Sequence, residues 1–272
     1  MFEELYRFIY NLLIGFWAIF PYHDMGLAVI FATIVIKLII WPVEKKGLHY
    51  RRTMQNMQPE MAKIKEKAAG DKMKEYQLVQ EMNKKKGVNQ LTGGCLPLFI
   101  QLPFLFGLFT VFQSWLKHPQ YLSEKTYSFI HSLPYVQKTI SDPSLFHPSF
   151  FGLNISLPGK TGLIFMIFPV VAAFMQYYQT KMLMPKENLD DQQKLMARMN
   201  VFFPAMVIAF GYSWPLALSL YWIALSGVGI AEQYIVVKAN AEKEEKIIES
   251  TAVEVKPKAL KAKKAKKKKK KR

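Results

Sequence analysis

The sequence predicts an all-α polytopic membrane protein, with five transmembrane helices and a cytoplasmic helical hairpin between the first two. Two observations carry this. The 272 residues are 51% hydrophobic yet carry a formal net charge of +17. The two properties are segregated: long apolar runs alternate with Lys-rich runs, the pattern of a multi-pass chain.

Residues 1–24 come first. Leu5 to Phe20 is apolar and aromatic but holds Arg7 and Asn11, and Pro21 ends it. This reads as an outer-side helix lying in the membrane interface and not as a sixth span. Glu3 and Glu4 stand where a signal peptide would be basic. Cys95 is the single cysteine, which excludes a disulfide within the chain.

The first span is residues 25–42, and it contains Lys37. An ammonium inside hydrocarbon costs roughly 2.5 kcal/mol or more, so it normally faces water or a partner. Residues 25–42 offer no acidic partner, which points to a water-filled intramembrane groove. The other spans are about 96–116, 162–183, 198–213 and 215–237 within residues 93–237. The fourth is short: 16 residues cover only ~24 Å of a ~30 Å core. Residues 117–160, rich in Pro, Ser, His and Tyr, form an outer loop. Trp17, Trp115 and Trp214 fall where an outer aromatic belt would lie, and Trp41 where an inner one would.

Loop 43–92 is too long for a turn. Met54, Met57, Met61, Ile64 and Ala68 recur at helical spacing, Gly70-Asp71 breaks the pattern, and Met73, Tyr76, Val79 and Met82 resume it. Two antiparallel helices packed along Met-rich stripes follow. The methionines either pack the hairpin or offer apolar clients an adaptable surface.

Charge sets the orientation. Loop 43–92 has 12 Lys/Arg against 6 Asp/Glu, and residues 238–272 have 15 against 5. The N-terminal 24 residues have 1 against 3, and segment 117–160 has 4 against 2. The first loop and the basic tail are therefore cytoplasmic, and the N-terminus is outside. The expected location is a bacterial plasma membrane.

Several classes are set aside. Gly93-Gly94 precedes a span with no strand and no Lys-Ser/Thr pair, so no nucleotide loop is evident. No nucleophile–base arrangement stands out, and His118, His131 and His147 are too scattered for a metal site. The reading is a non-enzyme without cofactor or metal. A small-solute or ion transporter is the alternative, in which an intramembrane Lys would be a substrate or proton site, although no internal repeat is visible.

Residues 89–103, Asn-Gln-Leu-Thr-Gly-Gly-Cys-Leu-Pro-Leu-Phe-Ile-Gln-Leu-Pro, resemble the approach to the second span of the YidC/Oxa1/Alb3 membrane-protein insertases. The likeness extends over 24–237. Gly26-Leu27-Ala28 through Pro42 is similar to the first span of that family, with Lys37 where the family has Arg. Phe151-Gly152-Leu153-Asn154-Ile155-Ser156-Leu157-Pro158 resembles the approach to the third span, and Leu220-Tyr221-Trp222 the family's Leu-Tyr-Trp. Gln90 replaces a usual Pro, and Trp214-Pro215-Leu216-Ala217-Leu218 replaces Pro-Ala-Gly-Leu.

The resemblance implies an insertase and assembly chaperone with a polar groove open to the cytoplasm. Lys37 lies ~16 Å down its helix and Thr33 one turn above it on the same face. Gln176, ~21 Å down the third span, is at comparable depth. Gln101 and Trp222 complete the expected lining, with Trp222 closing it towards the outside. Each residue keeps a plainer reading. Lys37 snorkels to headgroups, Gln101 and Gln176 are interhelical glue, Thr33 bonds its own helix, and Trp222 packs the core. The implied partners are nascent membrane-protein clients and the Sec translocon. The tail cations Lys263, Lys264, Lys266, Lys267, Lys268, Lys269, Lys270, Lys271 and Arg272 suit ribosomal RNA or anionic lipids.

Overall fold

The structure, a computed structural model, describes residues 2–85, 96–113, 118, 120–182 and 191–236, with backbone alone at 2, 49–55, 58, 96–101, 191–197 and 199. Among the described residues it is helical apart from turns and one two-stranded hairpin. Two compact units are distinguished, 1–230 and 231–272. The described part of the second, 231–236, is the end of a helix.

Helix α1 is Phe2–Ile19. Its apolar stripe, Ile9, Tyr10, Leu13, Ile14 and Trp17, is fully buried against protein. It packs on α2 (Met25–Asn56) and α5 (Leu96–Gln113). Trp17 is therefore not an exposed belt residue. Its ring is edge-packed on Tyr135 and Phe146, both at 5.1 Å between centroids.

The two polar residues of α1 also face protein. Asn11 Nδ2 donates to the Lys125 carbonyl at 2.9 Å, and Asn11 Oδ1 accepts from the Tyr127 backbone N–H at 2.6 Å. The Arg7 guanidinium donates to the same carbonyl at 3.1 Å and sits 4.9 Å over the Tyr127 ring. Asn11 and Arg7 thus pin the short helices α6 (Tyr121–Glu124) and α7 (Ser128–His131), followed by α8 (Pro134–Ser141).

Helix α2 begins at Asp24, whose carboxylate caps the Leu27 N–H at 2.8 Å. It does not stop at Pro42. The missing N–H removes one bond and costs about 3 kcal/mol, yet the helix continues to Asn56. The break comes at Met57, just before Pro59 at the start of α3 (Gln58–Ala68), where a proline is readily accepted. Within residues 43–92 the structure has α3 and α4 (Lys72–Lys85), and the residues up to Asn56, Met54 among them, continue α2. Ala69 and Gly70 turn the chain at positive φ, and Asp71 Oδ1 caps the N–H groups of Met73 and Lys74. Met57 and Met61 bury against Met82, with Ile64 and Val79 alongside. Met73 and Tyr76 point outward, 69% and 59% exposed, so only half of the second stripe packs the pair.

Strands β1 (Ser149–Phe150) and β2 (Leu153–Asn154) form the hairpin. Helices α9 (Leu163–Met182), α10 (Asp191–Ser213) and α11 (Leu216–Val236) follow. Helices α9 and α10 pack along each other, and at their contact a Cβ on Gly211 would lie 2.2 Å from Pro169. That approach is too close for any side chain.

Among the described residues, three helices are long and apolar enough to cross a membrane: Met25–Leu48, Leu163–Met182 and Leu216–Val236. Leu102–Gln113 and Asn200–Ser213 are apolar but shorter. Three helices thus reach spanning length where five spans are expected, and the other two apolar helices fall short of it. The α11 window is 67% buried and the α9 window 17%. Helix α11 is therefore enclosed, whereas α9 turns Leu163, Ile167 and Phe174 outward.

Candidate functional site

Lys37 is 4% exposed, and what covers it is protein. It sits within the apolar part of α2, on the face that carries Thr33 one turn before it. Its ammonium pairs with the carboxylate of Glu44 in the same helix. This corrects the expectation that its helix offers no acid. That expectation ended the span at Pro42. Once the helix runs through the proline, Glu44 lies seven residues on, two turns along one face and ~10 Å in rise. The glutamate leans back towards the N-terminus, the direction helical side chains favour, and the flexible lysine stem covers the rest of the distance.

Thr33 is buried and its hydroxyl donates to the Val29 carbonyl at 2.7 Å, so its donor is used within α2. Its oxygen retains acceptor capacity. Gln176 lies on α9 with its Oε1 buried and no partner among the described residues. Trp222, 7% exposed, belongs to the main apolar cluster together with Ala28, Val29, Ala172 and Val207. It packs the core in this structure. The Gln101 side chain and the tail residues 263–272 lie outside the described residues.

Two features escaped the sequence reading. Tyr221, on α11, has a fully buried hydroxyl without a partner among the described residues. Thr180 and Asn200 bond side chain to side chain between α9 and α10. A signal existed for Glu44, the i+7 spacing. None existed for the Thr180–Asn200 bond, since 20 residues separate the two.

The segment after α8 packs on the start of α2. The second oxygen of Asp24 accepts the Phe151 N–H at 2.7 Å. Gly26 admits the Phe150 ring where a Cβ would lie 2.2 Å from it. Further on, the Leu157 and Ile155 carbonyls accept the N–H groups of Leu216 and Ala217, at 2.9 and 3.0 Å. The opening turn of a helix has N–H groups with no intrahelical partner, and here residues 155–157 supply them. The segment 149–158 thereby fastens the start of α2 and the start of α11.

A paired cation, buried polar oxygens without a partner among the described residues and an apolar surround are groups that could hold a polar segment without bond chemistry. The family model described as "60Kd inner membrane protein" matches residues 18–244. The chain is 29% identical to Membrane protein insertase YidC of Fusobacterium nucleatum, over 86% of this chain and 99% of that protein. It is 32% identical to Membrane protein insertase YidC 2 of Bacillus anthracis, covering 84% and 79%. It is 31% identical to Membrane protein insertase MisCA of Bacillus subtilis, covering 80% and 74%.

Proposed function

The chain belongs to the 60Kd inner membrane protein family of membrane protein insertases, and from that premise we propose how it moves a client. It is a multi-pass membrane protein, and the proposed arrangement has five spans in a bacterial inner membrane. Helices α5 and α10 serve as the two short spans, α3 and α4 as a cytoplasmic hairpin, and the N-terminus lies outside.

A client helix enters lipid readily once its apolar face reaches it. The barrier is its polar outer segment, whose desolvation costs several kcal/mol per unsatisfied group. Lys37, Thr33 and Gln176 line a polar groove that shortens this path, with Trp222 closing its outer end; Gln101, expected beside them, has its side chain outside the described residues. Lys37 attracts acidic residues of the segment, and the Gln176 oxygen accepts from its backbone. The clasp 149–158 holds the outer helix ends together, so the segment enters from the cytoplasmic side.

The observation that carries this reading is the burial of Lys37 inside a helix that spans. A charge with protein on all sides is placed for contact and not for snorkelling. The partners proposed are nascent membrane proteins, the Sec translocon, and ribosomal RNA or anionic lipids at the tail.

The test is nucleotide-free insertion into liposomes of a single-span client whose outer segment is acidic. A desolvated charge contact of about 1.5–3 kcal/mol makes Lys37→Ala roughly ten- to a hundredfold slower with that client. Lys37→Arg retains the rate, because charge and donors remain. Equal rates for Lys37→Ala and the parent protein overturn the groove.

A further inference from the structure

The geometry points to Glu44 as a built-in competitor for Lys37: a carboxylate of the protein's own that occupies the groove cation until an acidic client group displaces it. This rests on the reading of Lys37 as the capturing cation.

Two observations lead here. First, Glu44 sits two turns beyond Lys37 on the same helix, and the structure sets its carboxylate on the Lys37 ammonium. The cation is thus met by an acid of its own helix before any client arrives. Second, the pair is unequally enclosed: the side chains are 5% exposed at Lys37 and 16% at Glu44. The acid is the less enclosed partner, so displacing it costs less than displacing the lysine.

A client carboxylate reaching Lys37 then exchanges one ion pair for another, and the groove never holds a bare buried cation. The exchange also sets a threshold. A neutral segment gains nothing at Lys37 while Glu44 occupies it, and a segment with one acid must outcompete an internal carboxylate already in place. Glu44 is thus a specificity-determining residue.

The experiment uses full-length protein in liposomes with two single-span clients, one with two acidic residues in the outer segment and one with these replaced by serine. The readout is the ratio of acidic to neutral insertion rates within each preparation, which cancels any loss of folded protein. Glu44→Gln raises the ratio about three- to tenfold, as expected for removing a competing ion pair. Glu44→Asp, with the charge kept and the reach shortened, raises it less. Lys37→Ala lowers the ratio, and adding Glu44→Gln to it changes nothing further. An unchanged ratio in Glu44→Gln overturns the inference, as does a fall to the Lys37→Ala level, which would make Glu44 a strut. If Lys37→Ala lowers the ratio and Glu44→Gln does not raise it, the groove stands and the competitor falls. If Lys37→Ala leaves the ratio unmoved, both fall.

Discussion

Asp24 and Phe151, 127 residues apart, are joined by a 2.7 Å hydrogen bond from the Phe151 N–H to the Asp24 carboxylate. The same carboxylate caps α2 with its other oxygen. Phe151 sits at φ +46°, a conformation that costs a non-glycine residue about 1–2 kcal/mol. One side chain therefore starts a helix and steadies a strained turn.

Asp24→Ala should destabilise the protein by about 2–4 kcal/mol, the sum of a lost cap and an orphaned N–H. Asp24→Asn should cost less, because one acceptor oxygen remains. Thermal unfolding in detergent measures both. Phe151→Gly should raise the melting temperature, since the side chain is largely exposed and its backbone strain is relieved.

The contact of α1 with α6 and α7 makes a second prediction. Asn11 is buried and joins two loop backbone groups, so Asn11→Ala should cost about 2–4 kcal/mol. The neighbouring Glu3–Lys125 pair, 2.8 Å apart, is exposed and salt-screened. The Lys125 ammonium, through its hydrogen bond first and its charge second, holds the Glu3 carboxyl below its ordinary value. The Glu3 hydrogen bond holds Lys125 above its own. A depressed acid stabilises above its unfolded pKa, and the gain is lost as pH falls through the folded value. A raised lysine stabilises below its unfolded pKa, and the gain is lost as pH rises through the folded value. The pair should therefore contribute through neutral pH, and fade in acid and in strong base. Glu3→Gln should flatten the acid limb in low salt and change little in high salt.

Membrane orientation is checked by labelling. Single cysteines at positions 22 or 129, both exposed, should react with an impermeant thiol reagent on intact cells, and at positions 75 or 250 should not. Protection at 129 would remove the proposed five-span arrangement.

The basic tail gives the last prediction. Truncation after Val255 removes Lys263 to Arg272 and most of the cationic block. Full-length protein in detergent should co-sediment with empty ribosomes, less so as salt rises, and the truncated form should not. Equal pelleting of the two would move the tail from ribosomal RNA to lipid.

The helical class and the apolar runs were legible because hydropathy and charge are local properties of the chain, and for the same reason Lys37 and Gln176 stand out as polar residues within those runs. The Asp24 cap was not, although Asp24 stands just before the first span. Its second bond depends on Phe151, and no local pattern announces a contact 127 residues away. Pro42 misled for a physical reason: it stops most helices in water, but within a buried or membrane helix its neighbours re-satisfy the freed carbonyl. Ending the helix there hid Glu44 from Lys37. Trp17 misled because an aromatic near a predicted boundary fits a lipid belt and a protein core equally well, and only its contacts with Tyr135 and Phe146 decide between them.

The clasp at 149–158 also fixes an order of events during the chain's own synthesis. When α2 leaves the ribosome, the residue that uses the second Asp24 oxygen is 127 positions away. At about 5–20 residues per second, that is roughly 6–25 s of waiting. The N–H groups opening α11 face the reverse situation, because the carbonyls of Ile155 and Leu157 that receive them are already made. Helix α2 thus waits for a partner made much later, whereas α11 meets its partners as it is made, so a premature stop before residue 151 leaves a first helix that is threaded but not locked.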